Sequence, residues 1–378
     1  MKKIIYLLMA VMVFGFVPNE ANAEEVLAPG AKSAILVEAS GGKVLYEQNS
    51  DEQLSIASVT KIMTMLIIME KIDSGALQLD EIVTASENAQ SYGGSTMFLE
   101  AGEQLSVHDM LKGIAVASAN DGCAAMAEHI AGSEAAFVEM MNKRAGELGM
   151  ENTHFMNTNG LDEDGHYSTA RDVAVMSREL IKHKKIFDYT TIWTDSLRDG
   201  KFELANTNKL IRFYKGATGL KTGSTSKAGC CLSATAERDG MELIAVVLGT
   251  ADSKTRFASA SALLNYGFAG YKVHRELEKG EPVGKVNVLK GVCDNVGTIA
   301  QDGYSYLTAK TETKDVEKTI KLPDNVTAPV KKGDKLGEIV FSTQGEDDVI
   351  IDIVASEDVN KKAFYMIFLD VLHEFIYG

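Results

Sequence analysis

The pattern of apolar and polar positions first predicts a hairpin and then a buried helix. Ser33–Glu38 and Lys43–Glu47 are short runs of strand-forming residues joined by a pair of glycines, a pattern typical of a β-hairpin. Ile62–Met69 is apolar at every position except Thr64. Because a helix that is apolar on every side is buried, this segment is predicted to lie inside the core.

Further helix signals follow the buried helix. Ser106 and Asp109 have the spacing of a capping box, and Thr169 and Asp172 have the same spacing. Each pair is therefore predicted to open a helix. Two more helices are predicted at about 121–131 and about 134–148.

Strand signals return in the second half of this region. Cys230–Thr235 and Leu243–Leu248 are strand-like and are separated by Asp239-Gly240, a strong hairpin turn. A helix at about Lys254–Phe268 follows. This order, strands, helices, strands and a final helix, predicts an α+β fold in which an antiparallel sheet is packed with helices.

Beyond Tyr271 the pattern becomes strand-rich. Short strand-like segments at Val286–Leu289, Val316–Leu322 and Val349–Val354 are separated by Gly, Asp and Pro, which predicts a small all-β domain. We predict four parts: a signal peptide over 1–23, a catalytic domain over 24–271, a β-sandwich-like domain over 272–356 and a terminal helix over 357–378.

Both ends of the sequence have the character of targeting segments. Lys2 and Lys3 precede the uncharged run Ile4–Val17, and Ala21-Asn22-Ala23 has the form of a cleavage site. These features predict a secretory signal peptide, since the apolar run is shorter than the ~20 residues that span a bilayer. A retained N-terminal anchor is the alternative.

The last segment, Lys361–Gly378, is rich in aromatic and aliphatic residues. Asp370, His373 and Glu374 form a narrow polar stripe at helical spacing. Such a helix can lie in a membrane interface with its rings inserted. Packing against the chain's own β domain is an equally good interpretation of these residues alone.

Composition excludes several classes of protein. The 378 residues are 45% hydrophobic and 24% charged, proportions that are ordinary for a globular protein and rule out intrinsic disorder. A net charge of −15 argues against nucleic-acid binding, which needs a basic face. The four cysteines lack metal-ligand spacing and are expected to be small buried thiols: Cys123, Cys230, Cys231 and Cys293. The histidines show no metal motif either, so no metal site is predicted.

Three short motifs carry the candidate chemistry. They are Ser58-Val-Thr-Lys61, Ser118-Ala-Asn120 and Lys221-Thr-Gly223. Ser224–Lys227 and Ser86–Asn88 have similar letters, but only Ser58 leads into a buried helix. The ordered set is characteristic of serine acyl-transfer enzymes that recognise penicillin.

The residue types suit that chemistry. Ser58 needs a base to become a nucleophile, and Lys61 lies one helical turn away. Burial at a helix start, with Lys221 as a second cation, is expected to lower the pKa of Lys61. Ser118 can relay a proton and Asn120 can bind a substrate amide. The backbone N–H of Ser58 and one from the strand after Gly223 can form an oxyanion hole.

The chain resembles the D-alanyl-D-alanine carboxypeptidases, the low-molecular-mass penicillin-binding proteins, from about Glu25 to its end. The resembling segments are Ala57–Thr64, Gly94–Glu103, Ser118–Asp121, Thr153–Gly160, His166–Asp172 and Gly219–Gly223. The resemblance implies a β-lactamase/DD-peptidase-like catalytic domain, a small all-β domain and an amphipathic C-terminal anchor.

The resemblance also implies the roles of individual residues. Ser58 is then the acylated nucleophile, Lys61 its general base and Ser118 an assisting catalytic residue. The substrate-binding residues are Asn120, Lys221, Thr222, Gly223, Ser224 and Arg256. Arg256 suits a terminal carboxylate. Some relatives have His and N-R-N where this chain has Ser224 and Asn206-Thr-Asn208. The resemblance therefore does not imply which further residues contact the carboxylate.

The implied activity is removal of the terminal D-alanine from peptidoglycan pentapeptide stems, without metal or organic cofactor, at the outer face of the cytoplasmic membrane. β-Lactams are the expected covalent inhibitors. A class A-like β-lactamase is one alternative, although Gly160–Asp172 lacks a convincing E-x-x-L-N pattern. A non-catalytic cell-wall binding protein is another. A triad of Ser58 with His166 and Asp172 is a further alternative for the catalytic residues.

Overall fold

A computed structural model describes residues 26–377, so the predicted signal peptide over 1–23 lies outside the described residues. The helix predicted from the all-apolar run is confirmed, because every residue from Lys61 to Met69 is buried. The helices are α1 (Lys61–Asp73), α2 (Glu87–Ser91), α3 (Val107–Lys112), α4 (Asn120–Ala131), α5 (Glu134–Glu147), α6 (Ala170–Leu180), α7 (Phe187–Thr190), α8 (Leu210–Phe213), α9 (Ser253–Gly270) and α10 (Phe364–Tyr377).

The strands form one central sheet, a second sheet near the C-terminus and several two-stranded ribbons. They are β1 (Ser33–Glu38), β2 (Val44–Gln48), β3 (Ile82–Thr84), β4 (Gln104–Ser106), β5 (Thr194–Leu197), β6 (Phe202–Ala205), β7 (Ala217–Thr225), β8 (Gly229–Arg238), β9 (Met241–Thr250), β10 (Tyr271–Leu277), β11 (Pro282–Leu289), β12 (Asn295–Ala300), β13 (Tyr304–Ala309), β14 (Val316–Lys321), β15 (Asn325–Thr327), β16 (Lys335–Thr343) and β17 (Val349–Ala355).

The central sheet is antiparallel in the order β2-β1-β9-β8-β7. Its middle strands are apolar on both faces, because both faces are covered by helices. In β9, Ile244, Val246 and Leu248 belong to a large core with α1 and α4–α6, whereas the alternate positions face α9. The predicted antiparallel sheet packed with helices is confirmed.

One edge of this sheet differs from the prediction. The Lys221-Thr-Gly223 motif lies within the edge strand β7, whereas the sequence predicted a strand only after Gly223, and the nine residues of that strand pair only with β8 inside the described sheet. The turn that holds Ser58 packs against this strand at Gly223. Because β7 pairs on one side only within the described sheet, its other edge is available for pairing with an extended peptide.

The C-terminal region is all β up to α10, as predicted. Six strands form the order β14-β16-β17-β12-β11-β15, antiparallel except for the β11–β15 pair, and β10 pairs with β13. Two small cores, one including Val286 and Val296 and the other Ile339 and Phe341, fill this region.

Helix α10 presents an apolar surface to solvent. Phe364 and Phe375 are 83% and 89% exposed, and Tyr365, Phe368 and Ile376 are also exposed. The side chains of these five residues are therefore mostly in contact with solvent. Among the described helices, none combines the length and the apolarity that crossing a bilayer would require.

The cysteines follow the prediction only in part. Cys123 and Cys231 are buried, Cys230 is half-buried, and Cys293 is exposed, so the prediction of a buried thiol is wrong at Cys293. All four are free thiols, and Cys293 lies in a turn of the β region where no core surrounds it.

Candidate active site

Ser58 and Lys61 are brought together by a change of helix type. Ser58 lies in a 3-10 turn, Ala57–Thr60, and Lys61 is the first residue of α1. Residues three apart eclipse one another in a 3-10 turn. The Lys61 Nζ is therefore 2.9 Å from the Ser58 Oγ, within hydrogen-bond distance.

Lys61 is fully buried, and its ammonium has two further acceptors. Nζ donates to the side-chain oxygen of Asn120 at 2.7 Å and to the carbonyl of Asn159 at 2.6 Å. Burial lowers the pKa of Lys61 to about 8, against the opposing influence of Cys123 and Asp121. A neutral Lys61 can satisfy both acceptors and still direct its lone pair toward Ser58.

Two glycines allow the backbone to close around the nucleophile. A Cβ at Gly160 would lie 1.9 Å from the carbonyl oxygen of Ala57, whose own φ is +49°. A Cβ at Gly223 would lie 2.8 Å from the backbone nitrogen of Ser58. Both approaches require glycine, so the turn carrying Ser58 is held between the segment at Gly160 and strand β7.

The second motif faces the same site from α4. Ser118 follows a π-helical turn, Gly113–Ala117, with φ +65° and is 4% exposed. Asn120 is held through its side-chain amide, which donates to the Gly93 carbonyl at 2.8 Å. Among residues 26–377, the Ser118 hydroxyl makes no hydrogen bond to Ser58 or Lys61.

The third motif contributes a second buried amine. Lys221 is 1% exposed, and its Nζ donates to the Thr222 carbonyl at 2.8 Å. Burial first, and the nearby Lys61 second, hold the pKa of Lys221 well below its usual range. The Thr222 hydroxyl donates to the exposed Thr207 at 2.7 Å, and Ser224 is exposed at the end of β7.

Arg256 is buried, which excludes an ordinary surface arginine. Its guanidinium, on α9, donates to the carbonyls of Gly223 at 2.9 Å and Cys231 at 3.2 Å. Burial lowers the pKa of Arg256. The arginine thus ties β7 and β8 together behind the third motif, and one nitrogen, Nε, is buried without a partner.

The structure does not support a triad through His166. The His166 ring bonds Thr60 at 2.8 Å and accepts from the Met156 backbone N–H at 3.1 Å, while Asp172 accepts from Thr153 and Asn152. Burial lowers the pKa of His166 to about 4, so the ring is neutral. Within the described chain, no cluster of three His, Cys, Asp or Glu residues is arranged to hold a metal ion.

Sequence reasoning missed the contacts that involve backbone atoms. The Asn159 carbonyl binds Lys61, but a carbonyl belongs to every residue type and leaves no signal. Thr207 lies in the Asn206-Thr-Asn208 segment that departs from relatives, and it contacts Thr222 directly. Asp121, which lies in a segment that resembles the family but had no predicted role, accepts from the backbone N–H groups of Met97 and Leu99.

Comparison with known proteins shows which family the chain belongs to. The D-alanyl-D-alanine carboxypeptidase family matches residues 19–252, and the C-terminal domain of penicillin-binding protein 5 matches residues 271–361. D-alanyl-D-alanine carboxypeptidase DacF of Bacillus subtilis (strain 168) is 46% identical over 367 residues, which cover 95% of this chain and 94% of DacF.

Solved structures show the same similarity. Penicillin-binding protein 5 of Haemophilus influenzae superposes with a TM-score of 0.68 at 31% identity, covering 88% of this chain and 98% of that one. A penicillin-binding protein of Listeria monocytogenes in its ampicillin-bound form has a TM-score of 0.58 at 33% identity, covering 63% and 98% of the two chains. The chain therefore belongs to the D-alanyl-D-alanine carboxypeptidase family and is a serine peptidase that releases D-alanine from D-Ala-D-Ala peptides.

Proposed function

We propose that Ser58 is the acylated nucleophile and that neutral Lys61 is its base. The observation that carries this assignment is the 2.9 Å contact between Ser58 Oγ and a buried Lys61 whose pKa is lowered to about 8. Lys61 takes the hydroxyl proton as Oγ attacks the carbonyl between the two D-alanines. The C–N bond then breaks and leaves an ester on Ser58.

The leaving amine needs a proton. In our proposal, the proton on Lys61 passes through Ser118 to the nitrogen of the departing D-alanine. Water then attacks the ester, and Ser58 recovers its proton. The backbone N–H of Ser58 and one from β7 stabilise the oxyanion in both steps, since such donors are worth several kcal/mol in the transition state.

Substrate binding is proposed to rest on the free edge of β7. The peptide adds a strand to this edge beside Gly223, and Asn120 binds its amide. Lys221, Thr222 and Ser224 meet the terminal carboxylate. Arg256, whose guanidinium donates to the Gly223 carbonyl, adds positive charge to the same region. A carboxypeptidase needs such charge because its substrate ends in a free carboxylate.

Penicillin is proposed to acylate Ser58 and to leave slowly. The test is incubation of the protein with a fluorescent penicillin and, separately, with a D-Ala-D-Ala peptide. A long-lived adduct together with D-alanine release supports the proposal. Rapid penicillin turnover favours the β-lactamase alternative, and absence of both reactions favours a non-catalytic binding protein.

We infer that the protein is exported and lies at the outer face of the cytoplasmic membrane. Relatives act on peptidoglycan, a polymer outside the cytoplasm, and residues 1–23 have the pattern of a signal peptide. The exposed rings of α10, with Lys361 and Lys362 before them, suit peripheral binding to a lipid surface. On this proposal the catalytic domain ends near residue 271 and the β domain near 356.

A further inference from the structure

We propose that Glu134 is a positioning residue for Lys61. Glu134 is the first residue of α5, is half-buried, and has no place in any of the three motifs. Its two carboxylate oxygens bind two different chain segments, and each segment supports one acceptor of the Lys61 amine. The proposal rests on the proposed role of Lys61 as the base.

The first segment runs through Thr158. The Thr158 hydroxyl donates to Glu134 Oε1 at 2.7 Å, and the Thr158 carbonyl accepts from Thr64 of α1 at 2.6 Å. The next residue, Asn159, offers its carbonyl to Lys61 at 2.6 Å. Glu134 therefore binds Thr158, the residue directly before Asn159, whose carbonyl accepts the hydrogen bond from Lys61.

The second segment runs through Tyr92. The phenol donates to Glu134 Oε2 at 2.6 Å, and the following carbonyl, that of Gly93, accepts from the Asn120 amide at 2.8 Å. The oxygen of that same amide accepts from Lys61 at 2.7 Å. The Glu134 carboxylate thus binds both segments whose hydrogen bonds lead to the two acceptors of Lys61 Nζ.

These bonds are strong enough to matter. Hydrogen bonds to an ionised carboxylate are about twice as strong as neutral ones. Burial, and then the neighbouring Glu134, raise the pKa of Tyr92, so its phenol remains a donor at all ordinary pH values. The Asn159 side chain accepts from the Leu161 backbone N–H at 3.0 Å, while its Nδ2 is buried without a partner. On our proposal, Thr158 and Glu134 add to this local contact in fixing the Asn159 carbonyl.

The test compares Glu134→Ala and Glu134→Gln with Glu139→Ala, an exposed glutamate on the same helix. Acylation by a fluorescent penicillin, kcat and KM for a D-Ala-D-Ala peptide, and the melting temperature are measured for each. We expect Glu134→Ala to lower acylation and kcat by about 10- to 100-fold with KM nearly unchanged, because ~1 Å of misplacement costs about that much. Glu134→Gln should recover part of the loss, and Glu139→Ala should match the wild type.

Thr158→Val and Tyr92→Phe keep the proposal falsifiable if Glu134→Ala does not fold. Each should lower kcat, and adding Thr158→Val to Glu134→Ala should cost less than the sum of the two. Wild-type kcat in all three single variants, or a loss that appears in KM and follows the melting temperature, overturns the proposal. Lys61→Ala distinguishes failure of this proposal from failure of the proposed function. If Lys61→Ala is acylated at the normal rate, the assignment of Lys61 as the base is wrong.

Discussion

Lys61 meets two requirements that usually conflict. It must be neutral to accept a proton, yet it lies among oxygen acceptors that favour its charged form. Burial decides the balance and lowers the pKa of Lys61 to about 8, so about a tenth of the amine is neutral at pH 7. The fraction of Lys61 that is neutral and can act as a base therefore rises with pH.

The rate of acylation should follow this titration. Between pH 7 and 9 the neutral fraction of Lys61 rises from about a tenth to about nine-tenths, so the rate with penicillin should rise about tenfold. Lys61→Ala should lower the rate by about 10²- to 10⁴-fold at every pH. The measurement is stopped-flow acylation of both proteins, with the exposed Lys143→Ala as control. A flat pH profile in the wild type would contradict the assignment.

At the residue scale, the sequence could indicate residues whose side-chain type and spacing carry the chemistry. Ser58, Lys61, Asn120 and Lys221 have types and spacings that suit acyl transfer, and Lys61 bonds both Ser58 and Asn120 in the structure, while the catalytic roles stay predictions. The Asn159 carbonyl and the Tyr92–Glu134 contact were not predicted. The first is backbone chemistry, and the second joins residues 42 positions apart, a distance that no local pattern records.

At the scale of elements, the close approach of β7 to the turn carrying Ser58 is what makes the site. Gly223→Ala should push β7 away from the Ser58 backbone nitrogen, because its Cβ would lie 2.8 Å from that atom. We expect acylation to fall by roughly 10- to 100-fold. The control is Gly146→Ala in α5, where a Cβ meets nothing and should stabilise the fold by about 0.5–1 kcal/mol. A normal acylation rate in Gly223→Ala would contradict this expectation and would show that β7 can shift without harming the site.

His166 makes the same region sensitive to acid. Its pKa is about 4 when folded, mainly through burial, and ordinary when unfolded. Between these values the unfolded chain binds a proton that the folded chain does not, so stability falls as pH drops from 6.5 to 4. From pH 7 to 4.5 this costs about 2 kcal/mol.

Replacing the ring should remove that cost. In His166→Asn, the free energy of unfolding, measured with denaturant, should fall by about 2 kcal/mol less than in the wild type between pH 7 and 4.5. The comparison cancels the other titrating groups. An identical pH dependence in both proteins would mean that His166 is not held neutral.

Elements were predictable where their periodicity is strong. The all-apolar run of α1 and the Asp239-Gly240 hairpin both appear as expected. Strand β7 was missed because its sequence, rich in Gly, Thr and Ser, lacks alternation, and it is a strand because β8 pairs with it. The 3-10 turn at Ser58 was also missed, since its residues alone do not distinguish it from the start of α1.

On the scale of the whole molecule, the described chain has three successive regions. The region up to α9 contains the candidate active site, strands β10–β17 follow it in sequence as the β region, and α10 exposes a row of aromatic rings. A chain ending at Lys362 should lose binding to vesicles containing anionic phospholipid, because the rings provide the buried apolar area. Co-sedimentation measures binding, and penicillin acylation should be unchanged. Equal binding by both chains would contradict the anchor.

Ser58 is the residue that we propose to carry the acyl group. Mass spectrometry of the tryptic peptide Val44–Lys61 after brief exposure to penicillin tests it most directly. We expect one penicilloyl group on Ser58 in the wild type, and neither an adduct nor D-alanine release in Ser58→Ala. An adduct on any other residue, or D-alanine release by Ser58→Ala at the wild-type rate, would contradict it.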